Sequence, residues 1–408
     1  MTDELIRQNL IDDTPNNTIL NTHDTHVMNP TLFKEYKESK VNVSTTPALI
    51  YLESVKGCPF DCLMCSLGKT PISHVPMELL DKLEPHYDEL EYLSIHGDGE
   101  PLLTKHLEYF AEKSNKHKFT LHMNTTGELL TQQKSEKLAN AHGLLIRFSI
   151  HAGTPEVYKR IIGGDFHKTL GKIKELVDFC KDKGPRHDFW FSFIVMKETV
   201  DSIEDFLRET HKAGVKSVRF TRLSPTAPII FGSTKRDFTL KYFEQFNKDV
   251  IETFIRNRPK YDALAKELGI KIEYGTMSEY TKYSPSNMEE FKKYKLNSIG
   301  KITNKVTDRL ISKRFLPIVP PKGDCIVPWY GQLIIKSDGD VRLCCSSPHG
   351  LGNLNEKSLE EIWNDTPIQE VRESFAQGKY PKACGYCKGF SIDTPPKDVL
   401  DLIRKTGI

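Results

Sequence analysis

The sequence predicts an α/β fold: a partial (βα)6 TIM-type barrel followed by a small cysteine-rich α+β domain. Two observations carry this. Strand-like and helix-like segments alternate six times between about residues 46 and 225. Five of the nine cysteines then fall between Cys325 and Cys387.

The strand candidates are Ala48–Leu52, Tyr92–His96, Phe119–Asn124, Leu144–Ile150, Phe189–Met196 and Ser217–Thr221, all apolar, β-branched or aromatic runs. Helical patterns lie between them at Met77–Leu83, Leu107–Lys113, Gln132–Asn140, Leu170–Lys181 and Ile203–Lys212. Six units fall short of the eight that close a barrel, and the chemistry of such folds sits at the C-terminal ends of the strands. The expected division is an N-terminal extension over 1–45, the barrel over 46–235, a helical linker or insertion over 236–320, and the small domain with a C-terminal helix over 321–408. In that domain Gly331–Lys336 and Val341–Cys344 flank Asp338-Gly339, a hairpin signal.

Composition narrows the function classes. The chain has 408 residues, 38% hydrophobic and 27% charged, with net charge +2. That is globular composition, and overall charge does not call for nucleic acid. A basic run from Lys301 to Arg314 reads as a solvated helix face, or more sharply as a contact for an anionic substrate. The first residues lack the apolar core of a secretory signal, and no apolar window is long enough to span a membrane. A cytoplasmic protein is therefore expected, with no membrane partner and with reduced cysteines acting as metal ligands.

The first cysteine group is Cys58, Cys62 and Cys65, spaced C-x3-C-x2-C directly after the first strand. Three thiolates on one loop can hold three irons of a cubane and leave the fourth open. Zinc is the competing reading, although structural zinc favours four ligands in C-x2-C pairs. This spacing, after the first strand of a six-fold βα pattern, resembles the radical S-adenosylmethionine (radical SAM) superfamily over about residues 46–225. The resemblance implies a [4Fe–4S] cluster whose open iron binds S-adenosylmethionine, cleavage of that cofactor to a 5′-deoxyadenosyl radical, and a flavodoxin- or ferredoxin-type electron donor.

It also assigns residues. Gly97, Gly99 and Glu100, within His96-Gly-Asp-Gly-Glu-Pro101, resemble the Gly-Gly-Glu segment that receives the cofactor's methionine amino group. Asn124 and Thr125 match the loop after the third strand, and Ser149 ends the fourth. Met64 stands where an aromatic usually touches adenine, and Leu223 lies where backbone cradles it. Arg160 is near the place of an arginine that pairs with the cofactor carboxylate, a helix-surface role being the other reading.

The late cysteines follow C-x13-G-x4-C, then Leu351-Gly352-Asn353, Ile362-Trp363-Asn364 and C-x2-C. This resembles the twitch or SPASM extension of the same superfamily. The implied ligands of a single auxiliary [4Fe–4S] cluster are Cys325, Cys344, Cys384 and Cys387. Four cysteines also suit zinc. Cys180 lies at core spacing in its helix. Cys345 could donate a hydrogen atom, with a packed neighbour or alternative ligand as the bland readings.

The expected reaction is dehydrogenation of a small polar substrate, with the auxiliary cluster accepting an electron and His151 accepting a proton. A peptide substrate, cross-linked or epimerised, is the alternative. A non-catalytic electron-transfer protein and a zinc-binding module are the readings from other classes.

Overall fold

The structure is a computed structural model, and it describes residues 30–65, 67–183, 186–223, 245–293, 327–344, 350–379 and 381. Six strands form where the alternating pattern places them: β1 (Leu49–Leu52), β2 (Tyr92–Ser94), β3 (Thr120–Thr125), β4 (Gly143–Ser149), β5 (His187–Val195) and β6 (Ser217–Arg222). Each pairs in parallel with the next. Parallel neighbours need crossover connections, and helices supply them. Met77–Leu83 and Ile203–Lys212 fall where the periodicity puts them. The longer crossover Phe166–Cys180 starts at Asp165, whose carboxylate accepts from the Lys168 N–H. Its buried face carries Leu170, Ile173, Val177 and Cys180, so Cys180 is a core residue.

Two features go beyond that plan. After the helix Lys248–Leu268, β7 (Lys271–Glu273) adds a seventh parallel strand beside β6. Near the other terminus, β8 (Gly331–Ile335) pairs in parallel with the free edge of β1. β9 (Asp340–Arg342) and β10 (Gly350–Asn353) continue antiparallel from it. The sheet therefore has ten strands in the order β10-β9-β8-β1-β2-β3-β4-β5-β6-β7. The small domain's hairpin is an extension of the barrel sheet, and it covers an edge that would otherwise present unpaired backbone groups.

The described part of the N-terminal extension is bound into this junction. The indole of Trp329 donates to the Lys40 carbonyl at 2.8 Å, and that of Trp363 to Thr45 at 3.0 Å. Arg372, fully buried, donates to the carbonyls of Pro328 and Val41 and lies over the Trp363 ring.

The sheet separates two cores. Leu144, Ile146 and Phe148 face the helices, while Leu145, Arg147 and Ser149 alternate onto the opposite face. On that inner face Leu49, Tyr92, Leu145 and Trp190 join Leu32, Ala48 and Tyr330 in a separate apolar cluster near the strand starts. Toward the strand ends the inward positions turn polar: Tyr51, Ser94, His122 and Arg147. The apolar floor and polar upper layer point the chemistry toward the C-terminal ends of the strands.

Candidate cluster and cofactor site

The loop that carries Cys58, Cys62 and Cys65 leaves a two-stranded ribbon, Val55–Lys56 against Ser73–His74. Gly57 anchors it. Its N–H donates to the Asp98 carbonyl at 2.7 Å, and its carbonyl accepts from the Glu100 N–H at 3.2 Å. Gly57 stands at φ +102°, and a Cβ there would fall 2.1 Å from the Pro71 carbonyl oxygen. Only glycine fits both demands. The Thr70 hydroxyl accepts from the Cys58 N–H at 3.1 Å. The cysteine loop is thus tied to the segment after β2.

All three cysteines are half-buried. Burial, then the charges of Glu100 and Cys65, pushes the Cys58 thiol up to about 11. Cys62 is raised further by deeper burial and by its two cysteine neighbours. Such thiols stay protonated near neutral pH unless a cation joins them, and iron would supply that charge. Among the described residues no three His, Cys, Asp or Glu side chains converge on a position for one metal ion. Structural zinc favours four ligands, whereas three thiolates suit a cubane that takes each on a different iron. The donor set fits a cluster.

Glu100 caps the short turn Pro101–Leu103. One carboxylate oxygen accepts from the Leu102 N–H and the Thr125 hydroxyl, the other from the Thr126 N–H and hydroxyl. Burial raises its pKa, and these bonds oppose the rise. The sequence reading offered this carboxylate to the cofactor's ammonium. Each oxygen accepts two bonds, so Glu100 staples the loops after β2 and β3 together. Thr125 belongs to that staple.

Asn124 begins a hydrogen-bonded chain on the inner face. Its side-chain NH2 donates to His96 Nε2 at 3.0 Å. His96 Nδ1 lies 2.7 Å from Ser94 Oγ, and Ser94 Oγ 3.0 Å from His122 Nδ1, so the three side chains form one hydrogen-bonded chain. His122 Nε2 is buried with no bond to another described group. Burial, then the Arg147 charge, pushes His96 down to about 3. Burial, then the neighbouring His96 and Arg147, holds His122 well below the ordinary histidine range.

His151 follows β4 at φ +52° and is buried. Its Nδ1 accepts from the Ile194 N–H at 3.2 Å, and burial pushes it down to about 4. The ring ties the end of β4 to β5, and its burial makes it a weaker base than the expected proton acceptor. Between about pH 4 and the ordinary 6.5, the unfolded chain protonates His151 while the folded chain does not; for His96 the window starts near 3. Folding stability is therefore expected to rise with pH through this window and to fall on acidification. The urea midpoint at about pH 7 and about pH 5 checks it; equal midpoints would refute neutral rings.

The other expected residues divide. Gly97 and Gly99 sit against Glu53 and Val55, each closer than a side chain would allow. Met64 is half-buried against the main core, and Leu223 is buried just past β6. Ser149 ends β4 beside Ser192 of β5. Arg160 points away: on the half-exposed face of Pro155–Ile161 it pairs with Glu198 at 2.7 Å, which corrects the carboxylate assignment to the surface reading. Cys344 is half-buried just after β9. Cys325, Cys345, Cys384, Cys387 and the basic run lie outside the described residues.

The profile of the radical SAM superfamily matches residues 52–210, and that of the SPASM iron–sulfur cluster-binding domain matches residues 325–388. The chain carries a radical SAM domain and a SPASM domain. The first implies the [4Fe–4S] cluster with S-adenosylmethionine, the second an auxiliary iron–sulfur cluster. A protein of Pyrococcus furiosus named as the tungsten-containing aldehyde ferredoxin oxidoreductase cofactor-modifying protein is 26% identical, over 88% of this chain and 90% of its own length. SuiB of Streptococcus suis bound to precursor peptide SuiA superposes with TM-score 0.57 at 16% identity, over 95% of this chain and 82% of SuiB. The enzyme anSMEcpe with AdoMet and the Cp18Cys peptide gives 0.51 at 16% identity, over 84% of this chain and 86% of that one. At such identities the two structures show the shared fold. Among the described residues no helix is long and apolar enough to cross a membrane.

Sequence reasoning missed the inner-face chain of Ser94, His96 and His122. The signal was present. Polar residues recur at period two between apolar ones, as in Ser94 and His96 around Ile95 or His122 and Asn124 around Met123.

Proposed function

We propose that this radical SAM–SPASM chain is an enzyme that oxidises a C–H bond of a polar substrate. The carrying observation is the continuity of the sheet. β1 leads from its C-terminal end into Cys58, Cys62 and Cys65, and β9, two strands away and antiparallel to β8, runs back toward the start of β1 before Cys344. One continuous sheet therefore carries cysteines of both groups. When bound, the two clusters and S-adenosylmethionine supply hydrogen-atom abstraction and a one-electron acceptor.

The chain's own residues hold and orient. Cys58, Cys62 and Cys65 hold one cluster, and Cys325, Cys344, Cys384 and Cys387 the other. Gly97 and Gly99 give the cofactor close backbone approach, Ser149 contacts its polar end, and Met64 and Leu223 pack on its base. The apolar floor of Leu49, Tyr92, Leu145 and Trp190 excludes water from below. A flavodoxin- or ferredoxin-type protein supplies electrons.

A peptide substrate is the second reading. It is favoured by the alignment of 95% of this chain with a structure whose partner is a precursor peptide. In an epimerising version Cys345 would be the hydrogen-atom donor.

Anaerobic reconstitution tests the proposal. About eight irons per chain and 5′-deoxyadenosine on reduction with S-adenosylmethionine are expected. Cys384→Ala should retain at least part of the 5′-deoxyadenosine and lose the product that is lighter by two hydrogens in mass spectra. Colourless protein holding zinc would overturn the reading. So would iron without 5′-deoxyadenosine.

A further inference from the structure

Lys336 lies in the turn between β8 and β9. Its ammonium is 2.9 Å from Asp98 Oδ2 and 3.2 Å from Glu53 Oε1. The same Glu53 oxygen accepts from the Asp98 N–H at 3.3 Å. Ser337, next in the turn, gives its N–H and hydroxyl to Glu53 Oε2 at 3.1 and 3.0 Å. These charges are removed from water: the side chains of Lys336, Glu53 and Asp98 are 13%, 3% and 15% exposed.

Three distant segments meet here. Glu53 ends β1, Asp98 belongs to the Gly97–Glu100 loop, and Lys336 comes from the SPASM side. The fit is close, because a Cβ on Gly97 would stand 2.8 Å from the Glu53 Cβ and Cγ. Asp98 in turn holds the cysteine loop, since its carbonyl accepts the Gly57 N–H. Contacts therefore run without a gap from the C-terminal turn through Lys336, Asp98 and Gly57 to Cys58.

The electrostatics give the ammonium a task. Two carboxylates share a buried site and repel one another unless a cation stands between them. Burial works against the ammonium, but the two facing carboxylates outweigh it and hold Lys336 above the ordinary lysine range. With Lys336 neutralised, Asp98 is pushed from Glu53, and the loop that carries Gly97 and Gly99 moves with it.

We propose that Lys336 is a positioning residue through which the C-terminal domain sets the S-adenosylmethionine-binding loop. Cofactor affinity then depends on a turn far along the chain, and the radical SAM half is incomplete without its SPASM half. The inference rests on the reading of Gly97–Glu100 as the cofactor loop, and not on the identity of the substrate.

The test uses the full chain, anaerobically reconstituted, and reads S-adenosylmethionine binding by equilibrium dialysis without substrate. Lys336→Met is expected to weaken binding at least about tenfold, the scale of a buried charge that loses its partner. Iron content is expected to stay at the parent level. The electron paramagnetic resonance change that S-adenosylmethionine causes in the reduced cluster should need correspondingly more cofactor. Lys336→Arg should restore most of the affinity. Glu53→Gln added to Lys336→Met should restore part of it by removing the repulsion. Affinity within twofold of the parent for Lys336→Met overturns the proposal. Iron loss in parallel with affinity overturns it too, because Lys336 would then be serving stability alone. If Lys336→Met fails to accumulate, Lys336→Gln, which also leaves the two carboxylates without their cation, carries the same decision: weakened binding at full iron content supports the role, and unchanged binding ends it. Because dialysis reads the cofactor alone, a wrong substrate assignment leaves every one of these outcomes unchanged.

Discussion

Cys58→Ala is expected to abolish 5′-deoxyadenosine formation altogether. Cys58 is the first donor of the loop, and its N–H and carbonyl are both bonded to Thr70. The loop backbone can therefore keep its course without the thiol. What disappears is one of three ligands, and two thiolates from Cys62 and Cys65 cannot hold three corners of a cubane. Folding itself should survive, since Cys58 is half-buried and makes no core contact of note. The expected signature is selective. The variant melts near the parent, retains the iron of the auxiliary cluster, and yields no 5′-deoxyadenosine above the reagent blank over long incubation with dithionite and S-adenosylmethionine. Product measured by chromatography at even a tenth of the parent rate would remove Cys58 from the ligand set.

The barrel was legible because its signals are local. Runs such as Gly143–Ser149 and helices such as Ile203–Lys212 announce themselves by period, and the cysteine spacing after the first strand is contiguous. The pairing of β8 with β1 was not legible. It joins segments from opposite ends of the chain, and hydrogen bonding between strands leaves no mark in either sequence. The same cause hid the tasks of Glu53 and Lys336, which acquire meaning only from each other. Glu100 shows a subtler limit. The motif singles it out, but its bonds to Thr125 and Thr126 follow from the register of β2 against β3. His151 was read as a base because histidine titrates near neutral pH. Burial lowers its basicity, and burial of that ring is not visible in sequence.

Gly57→Ala is expected to cost the radical SAM cluster as completely as the loss of a ligand, though it removes no sulfur. The added methyl meets two obstacles. At φ +102° an L-residue is strained, and the Pro71 carbonyl at 2.1 Å is backbone, which cannot swing aside as a flexible side chain would. The relief available is movement of the ribbon, and that breaks the Gly57 bonds to Asp98 and Glu100. Cys58, Cys62 and Cys65 would then lose their fixed relation to the Gly97–Glu100 loop. Reconstituted iron should fall from about eight to about four per chain, with the auxiliary cluster left, and 5′-deoxyadenosine should vanish. Gly163→Ala separates the two causes. Gly163 also has a left-handed backbone, at φ +92°, but no atom lies within 4 Å of its Cβ position. That variant should keep full iron and measurable cleavage, losing only stability of the order of 1 kcal/mol. If Gly163→Ala lost the cluster as Gly57→Ala does, backbone strain alone would explain both. The close approach to Pro71 would then not be what makes position 57 a glycine.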